Sequence, residues 1–146
     1  MNTNVTTKFE IRSSAEEVFE AIVDPVKIGN FWFSSSSERW EQGKAVTLRY
    51  DEYKAEGVID VLEVEKNKRI KFSWGSEHDA GTVVTISLKE QDKHTIIEVN
   101  ESGLKEDDPE IVNKMMGQKE GWVYTLSCLK AYVEHGVHDM RASLIH

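Results

Sequence analysis

The C-terminal part of the chain carries a long apolar stripe at helical spacing, and this stripe limits the available folds more than any other feature. Between the break at Pro109 and about His135, apolar residues fall three, four and seven positions apart: Met115, Trp122, Leu126, Leu129 and Val133. Gly136 is a natural helix end. A stripe of this length needs a large apolar surface to pack against, and the preceding strands are the only candidate.

The middle of the chain has the two-residue period of half-buried strands. Alternation runs through residues 46–50, 70–74, 84–88 and 97–99, with a longer apolar segment from Val58 to Val64. Short polar connectors separate neighbouring runs, which is typical of an antiparallel meander. The adjacent pairs Val58-Ile59 and Val61-Leu62 break the alternation and indicate a β-bulge where the sheet bends.

One strand and two short helices are predicted before this meander. The segment Thr7–Arg12 alternates like a strand, and Ser13-Ser14 then offers N-caps with Glu16-Glu17 in capping-box positions. The first helix should stop at Asp24-Pro25. A second turn or short helix is expected over residues 25–30, since proline is preorganised for a first helical position.

These patterns together predict an α+β fold. At 146 residues the chain suits one compact domain, and we expect a single domain over residues 1–146 with its core at about residues 7–136. The expected architecture is a curved antiparallel sheet of about six to seven strands around the long C-terminal helix, with two short helices after the first strand.

Charge and composition exclude several partners. The chain has 18 basic and 26 acidic residues, a formal charge of −8, which repels phosphate backbones, so we expect no nucleic-acid partner. No stretch approaches the roughly 20 apolar residues of a membrane span. Residues 1–8 are polar rather than a basic and apolar leader, and Cys128 alone allows no intrachain disulfide. We therefore expect a cytoplasmic protein without a membrane span, either a monomer or a homodimer.

The strongest functional signal is a set of aromatic and methionine residues. Its members lie after the short helices, on predicted strands and along the long helix: Trp32, Phe33, Tyr50, Trp74, Met115, Met116 and Trp122. Broad rings and flexible thioethers suit the lining of a cavity for an irregular apolar ligand. The alternative is that they fill the core, since an apolar stripe usually means packing. Trp122 is among the members most expected to fill the core.

Two positions near the expected cavity each allow two interpretations. Glu101 follows Val99 by two residues and would share the inward face of the last strand. There its carboxylate could bind or deprotonate a ligand, whereas the commoner outcome at a strand end is contact with water. Gly121, beside Trp122, allows either a close approach of helix and sheet or a gap above the cavity.

No catalytic, metal or cofactor site is indicated. His135 and His138 straddle Gly136 at a helix end, where imidazolium complements the helix dipole, and no third or fourth metal ligand is evident. His78, in the loop 75–80, is a minor candidate for a ligand contact. Cys128 has no evident His or Asp partner and is interpreted as an inert mid-helix thiol. We predict no catalytic residue, no metal and no cofactor.

Four sequence blocks together resemble a known family. They are SSAEEVFEAIVDP (Ser13 to Pro25) leading to Phe31-Trp32, EGVIDVLEVEKNKRIKFSW (Glu56 to Trp74), TVVTISLKEQDKHTIIEVNESGL (Thr82 to Leu104) and GWVYTLSCLKAYVEHG (Gly121 to Gly136). In this order they are similar to the family related to activators of the heat-shock protein 90 ATPase (AHSA-type). That family is part of the START-like, Bet v 1-like superfamily (SRPBCC) of helix-grip domains.

The resemblance implies a seven-stranded antiparallel sheet that grips the C-terminal helix around a cavity. Such cavities hold lipids, sterols, polyketides and plant phenolics across the superfamily, and occasionally serve catalysis. The leading expectation is binding of a small hydrophobic or aromatic molecule for sensing, sequestration or transport. The alternatives are a cyclase- or hydrolase-like enzyme and a co-chaperone-like interaction module. The co-chaperone has a separate N-terminal client domain that these residues do not include, so we expect a chaperone partner less than a small molecule.

Overall fold

Seven antiparallel strands form one sheet in the computed structural model, which describes residues 1–74 and 81–145. The strands are β1 (Val5–Ile11), β2 (Ser35–Ser36), β3 (Ala45–Tyr50), β4 (Ala55–Glu65), β5 (Arg69–Trp74), β6 (Val83–Gln91) and β7 (His94–Ser102). Their order across the sheet is β1-β7-β6-β5-β4-β3-β2. The first strand therefore pairs with the last, and a meander from β3 to β7 fills the sheet. The predicted α+β class and strand number are confirmed.

The described residues also form two α-helices, α1 (Ala15–Val23) and α2 (Ile111–His135). As predicted, α1 begins after Ser14, whose Oγ accepts a hydrogen bond from the Glu17 N–H at 3.2 Å. It ends at Asp24, and the predicted second helix is a turn followed by a 3₁₀ helix at Ile28–Asn30. Neither helix is long and apolar enough to cross a membrane, within the part of the chain that the structure describes.

The predicted irregularity in the fourth strand is present. The register between β4 and β5 shifts between Val61 and Glu63, which leaves Leu62 as the extra residue of a bulge, 46% exposed. A bulge bends a strand and increases its twist. The two-residue strand β2 was not predicted, because the serine run at 34–37 has no apolar alternation to reveal it.

The long helix α2 packs against the core mainly through its C-terminal half. Leu126, Cys128 and Leu129 are buried in the hydrophobic core that α1 and the sheet share. Over the first two turns of α2, Ile111 is the only fully buried side chain. Gly136 ends the helix with φ +70, in the left-handed region that glycine adopts without strain. One end of the helix is therefore packed and the other borders open space.

Residues 137–145 form a tail that folds back over the sheet after α2. Three tyrosine hydroxyls donate hydrogen bonds to its main-chain carbonyl oxygens: Tyr50 to Arg141 at 3.1 Å, Tyr53 to Leu144 at 2.9 Å, and Tyr124 to Met140. The Arg141 guanidinium pairs with Glu52 and also donates to the Trp32 carbonyl at 3.3 Å. The sequence predicts that the core ends at about residue 136. These contacts hold the residues that follow it in place.

Candidate functional site

A cavity of about 680 Å³ opens between the sheet and the N-terminal half of α2. We call it the outer cavity. Its apolar wall comes from Phe33, Leu48, Tyr50, Trp74 and Leu104. Charged side chains at 56, 105, 108 and 114 also line it, and Lys114 pairs with Asp108. An apolar interior with charged residues in its wall, open to solvent, has the composition of a small-molecule site.

A second cavity of about 290 Å³ lies beside the first. We call it the inner pocket. The two cavities share three lining residues, Tyr50, Trp74 and Gln118. The remaining lining residues of the inner pocket are Trp32, Tyr53, Glu101, Gly121, Trp122, Tyr124, Thr125, Arg141 and Leu144. The C-terminal tail therefore supplies part of its wall, through Arg141 and Leu144.

The aromatic rings of both cavities form one connected cluster. Trp32 lies 5.4 Å from Trp122, edge to face, and 4.8 Å from Phe33, measured between ring centroids. Phe33 in turn meets Tyr50 at 5.4 Å and Trp74 at 6.2 Å, both edge to face. Such pairs add stability beyond the burial of their area. The rings of the cavity wall therefore support one another through direct contacts.

Six of the eight residues predicted to bind a ligand line the cavities. They are Trp32, Phe33, Tyr50, Trp74, Glu101 and Trp122. Trp32, Phe33 and Trp122 are also part of the buried core, so the lining and the core-filling interpretations both describe them. Their contact with a ligand remains a prediction.

The two methionines do not join this set. Met116 is 65% exposed, and Met115 is partly buried against the core without reaching either cavity wall. An α-helix turns by about 100° per residue, and the face of α2 toward the cavities is occupied by Gly117, Gln118 and Gly121. The N-terminal half of α2 therefore borders the cavity through this face, and neither Met115 nor Met116, both of which were predicted to line the cavity, belongs to the lining.

The two helix glycines lie beside open space. A Cβ atom built at Gly117 or Gly121 would meet no neighbouring atom within 4 Å, apart from the helix's own backbone. Close approach of helix and sheet is therefore not the reason for glycine at position 121. Gly117 lines the outer cavity and Gly121 the inner pocket, so both leave room that a side chain would occupy.

Glu101 is completely buried, at 0% exposure, and the interpretation that it reaches water at the strand end is wrong. The pairing of β6 with β7 continues to Ser102, and α2 covers this end of the strand. Its carboxylate accepts hydrogen bonds from Thr82 Oγ1 at 2.8 Å, Trp122 Nε1 at 2.8 Å and Gln118 Nε2 at 3.0 Å. The carboxylate, itself on β7, thus connects α2 with Thr82, the residue before β6, at the boundary of the two cavities.

Tyr50 borders both cavities and has an altered acidity. Burial raises the pKa of Tyr50 to about 12, with Tyr53 adding to the rise and the Arg141 guanidinium opposing it. Burial also raises the pKa of Tyr124, which lines the inner pocket. Both hydroxyls therefore remain protonated, and able to donate to the tail, well above neutral pH.

We expect the stability of the protein to fall as the pH rises from 10 to about 12. The folded state holds the Tyr50 proton more tightly than the unfolded state, where tyrosine keeps its ordinary pKa of 10.0. The stabilising contribution is therefore complete below pH 10 and is lost as the pH approaches about 12. Urea unfolding measured across this pH range should show a smaller decline in the free energy of unfolding for Tyr50→Phe than for the wild type. Tyr124, whose pKa is also raised, should account for part of the decline that the variant still shows. Equal declines in both proteins would contradict the prediction.

The other titratable candidates stand apart from the cavities. Cys128 is buried, and burial raises the pKa of its thiol against a smaller opposing effect of a hydrogen bond with Tyr124. This favours the interpretation of an inert thiol. No group of three His, Cys, Asp or Glu side chains that could hold a metal ion occurs in residues 1–74 and 81–145. His78 lies outside the described residues.

Several lining residues were not identified from the sequence. On α2, Gln118 and Thr125 lie three residues before and four after Gly121, so helical spacing from a suspected gap would have found them. Thr82 precedes a strand and carries no distinguishing pattern. Arg141 and Leu144 follow the helix end in a segment without periodicity, and the sequence gives no signal that this tail returns to the cavity.

Comparison with known proteins identifies the family. The model of the family described as Activator of Hsp90 ATPase homolog 1-like protein matches residues 12–134. The fold is similar to the crystal structure of a protein from Staphylococcus saprophyticus, at 50% sequence identity and a TM-score of 0.81. That similarity covers 92% of this chain and 94% of the other. The resemblance noted in the four sequence blocks is thereby confirmed.

More distant structures share the fold. The Aha1 dimer from Colwellia psychrerythraea is 18% identical, with a TM-score of 0.80 over 91% of this chain and 97% of that one. CalU16 from Micromonospora echinospora is 19% identical, with a TM-score of 0.74 over 92% and 75% of the two chains. No curated protein matches the sequence. Since the family model spans most of its length, this chain belongs to the family of Activator of Hsp90 ATPase homolog 1-like proteins.

Proposed function

We propose that the chain binds a small hydrophobic or aromatic molecule in the outer cavity, for sensing, sequestration or transport. The observation that carries this proposal is a cavity of about 680 Å³ with an apolar, largely aromatic wall and charged residues in the rest of its lining. Ligand sites of proteins fall at roughly 300–1,000 Å³, with apolar walls and a few polar groups that orient the ligand. The outer cavity fits this description, and Gln118 and Thr82 are the polar groups at its inner end.

The contacts of the acidic and phenolic groups favour binding over catalysis. A cyclase- or hydrolase-like enzyme would need a free acid or base in the cavity. Both oxygens of Glu101 already accept hydrogen bonds, and the Tyr50 hydroxyl donates to the tail. A co-chaperone role would use the exterior of the molecule, whereas the aromatic cluster faces the cavities.

A thermal-shift screen against lipids, sterols and flavonoid-like phenolics tests the proposal. Hits should be planar or acyl-chain molecules with one polar end, because aromatic rings form the apolar wall and polar groups occupy only part of the lining. A ligand at a hundredfold excess over its Kd raises the free energy of unfolding by roughly 2.7 kcal/mol. Confirmation by NMR titration should show shifts at Trp74, Gly117 and Gln118. A library that yields only phosphorylated or sugar ligands would contradict the proposal.

A further inference from the structure

Glu101 is a buried carboxylate whose hydrogen-bond partners are all neutral. They are a threonine hydroxyl, a glutamine amide and a tryptophan indole. No Lys, Arg or His nitrogen of the described residues lies within 4.0 Å of it. Burying a carboxylate without a cation is far more costly than burying a neutral polar group. All three partners donate to its oxygens, which is the acceptor-only pattern of the ionised form, and none of the described side chains supplies a counter-charge.

The basic residue in the wall of the inner pocket does not neutralise this charge. Arg141 is the only lysine or arginine among the described lining residues, and its guanidinium pairs with Glu52. The guanidinium carbon also lies 5.6 Å from the centroid of the Tyr50 ring. The pocket thus already accommodates one cation against an aromatic face, a contact that the electron-rich face of a ring favours.

Gln118 is the donor that a ligand is best placed to replace. Its side chain lines both cavities and is partly exposed, whereas Thr82 and Trp122 are buried, at 2% and 6% exposure. Rotation of the Gln118 side chain would uncover the Glu101 carboxylate at the point where the cavities meet. A ligand donor arriving from the outer cavity would then occupy the position of the amide.

We infer that the ligand carries an ammonium group, which binds Glu101 at the boundary of the two cavities while the apolar body fills the outer cavity. This inference rests on the proposed function and narrows its ligand class to apolar amines. The carboxylate supplies the counter-charge through a charge-assisted hydrogen bond. The surrounding rings of Trp74, Trp122 and Tyr50 offer further attraction for a cation.

Three probes of similar shape test the inference by isothermal titration: 2-naphthylmethylamine, 2-ethylnaphthalene and 2-naphthoate, which are cationic, neutral and anionic at neutral pH. Wild-type protein should bind the amine at least about tenfold more tightly than 2-ethylnaphthalene, and the carboxylate most weakly. This ranking is measured on wild-type protein, so it tests the ammonium preference even if a substitution at Glu101 impairs folding.

The variant Glu101→Gln removes the charge with little change in volume. It should weaken binding of the amine by at least about tenfold and leave 2-ethylnaphthalene within about twofold. The matched control is Glu98→Gln on the opposite face of β7, which removes an exposed negative charge that pairs with Lys8 and lines neither cavity. This control should change the Kd of the amine by no more than about twofold, because exposed charges are screened by solvent and salt.

The outcomes separate this inference from the proposed function. Equal binding of the amine and 2-ethylnaphthalene to wild-type protein, or equal weakening of both by Glu101→Gln, overturns the inference alone. If Glu98→Gln weakens binding of the amine as much as Glu101→Gln does, the inferred direct contact with Glu101 is overturned. Binding of none of the three probes overturns the inference, and together with an empty ligand screen it overturns the proposed function as well.

Discussion

Replacing Gly117 by Trp is expected to weaken binding of the neutral dye N-phenyl-1-naphthylamine by more than about tenfold, a loss of at least about 1.4 kcal/mol. A side chain at this position projects into space that no neighbouring atom occupies, and Gly117 lines the outer cavity. An indole there would take the volume that the dye requires. Fluorescence titration of the dye measures the effect directly.

The fold should tolerate this change. Glycine inside a helix is less favourable than alanine by about 1 kcal/mol, and no clash awaits a Cβ atom at position 117. The matched control Gly117→Ala should therefore stabilise the protein by about that amount, raising Tm by a few degrees, and keep binding near the wild-type value. A Gly117→Trp protein that is folded and binds the dye as tightly as wild type would place the ligand elsewhere.

The fold could be predicted from the sequence because its signals are periodic. The change from a helical to a two-residue period at Lys44, and back after Pro109, corresponds to the start of β3 and of α2 within two residues. The paired apolar residues at 61–62 marked the bulge in β4. Each of these signals depends on which face of an element is buried, and burial is what selects apolar residues.

The site was less predictable, since it depends on positions where side chains are small or polar. Met115 and Met116 were chosen for their chemistry, yet the face of α2 toward the cavity is marked by glycines and Gln118. An empty volume leaves no apolar pattern in the helix beside it. The tail is similar: Arg141 is held by an ion pair, by two hydrogen bonds that involve main-chain carbonyls and by a contact with the Tyr50 ring, and such contacts have no period that a sequence could reveal.

Glu101 shows how tertiary packing decides whether one side chain is buried or reaches water. The two-residue period of β7 correctly placed its side chain on the inward face, together with Val99. Whether an inward carboxylate at a strand end meets water depends on what covers that end, which here is Gln118 and Trp122 of α2, the next element along the chain. A residue-by-residue pattern contains no information on that cover.

Truncating Leu129 to Ala is expected to lower the free energy of unfolding by about 2–5 kcal/mol, as for other fully buried leucines. Leu129 is 0% exposed within the core shared by α1, α2 and the sheet. Removing its terminal carbons loses their burial and leaves a cavity that the surrounding residues fill only in part. Urea unfolding monitored by tryptophan fluorescence gives the difference.

Two substitutions on the same helix serve as matched controls. Met116→Ala should change the free energy of unfolding by less than about 0.5 kcal/mol, because Met116 is 65% exposed. The destabilisation by Met115→Ala should lie between those of Met116→Ala and Leu129→Ala, since Met115 is only partly buried against the core. This gradient follows from a helix that is packed at its C-terminal half and borders a cavity at its N-terminal half. If Met116→Ala destabilised the protein as strongly as Leu129→Ala, the N-terminal half of α2 would be packed as well, and the cavity would lose the wall on which ligand binding depends.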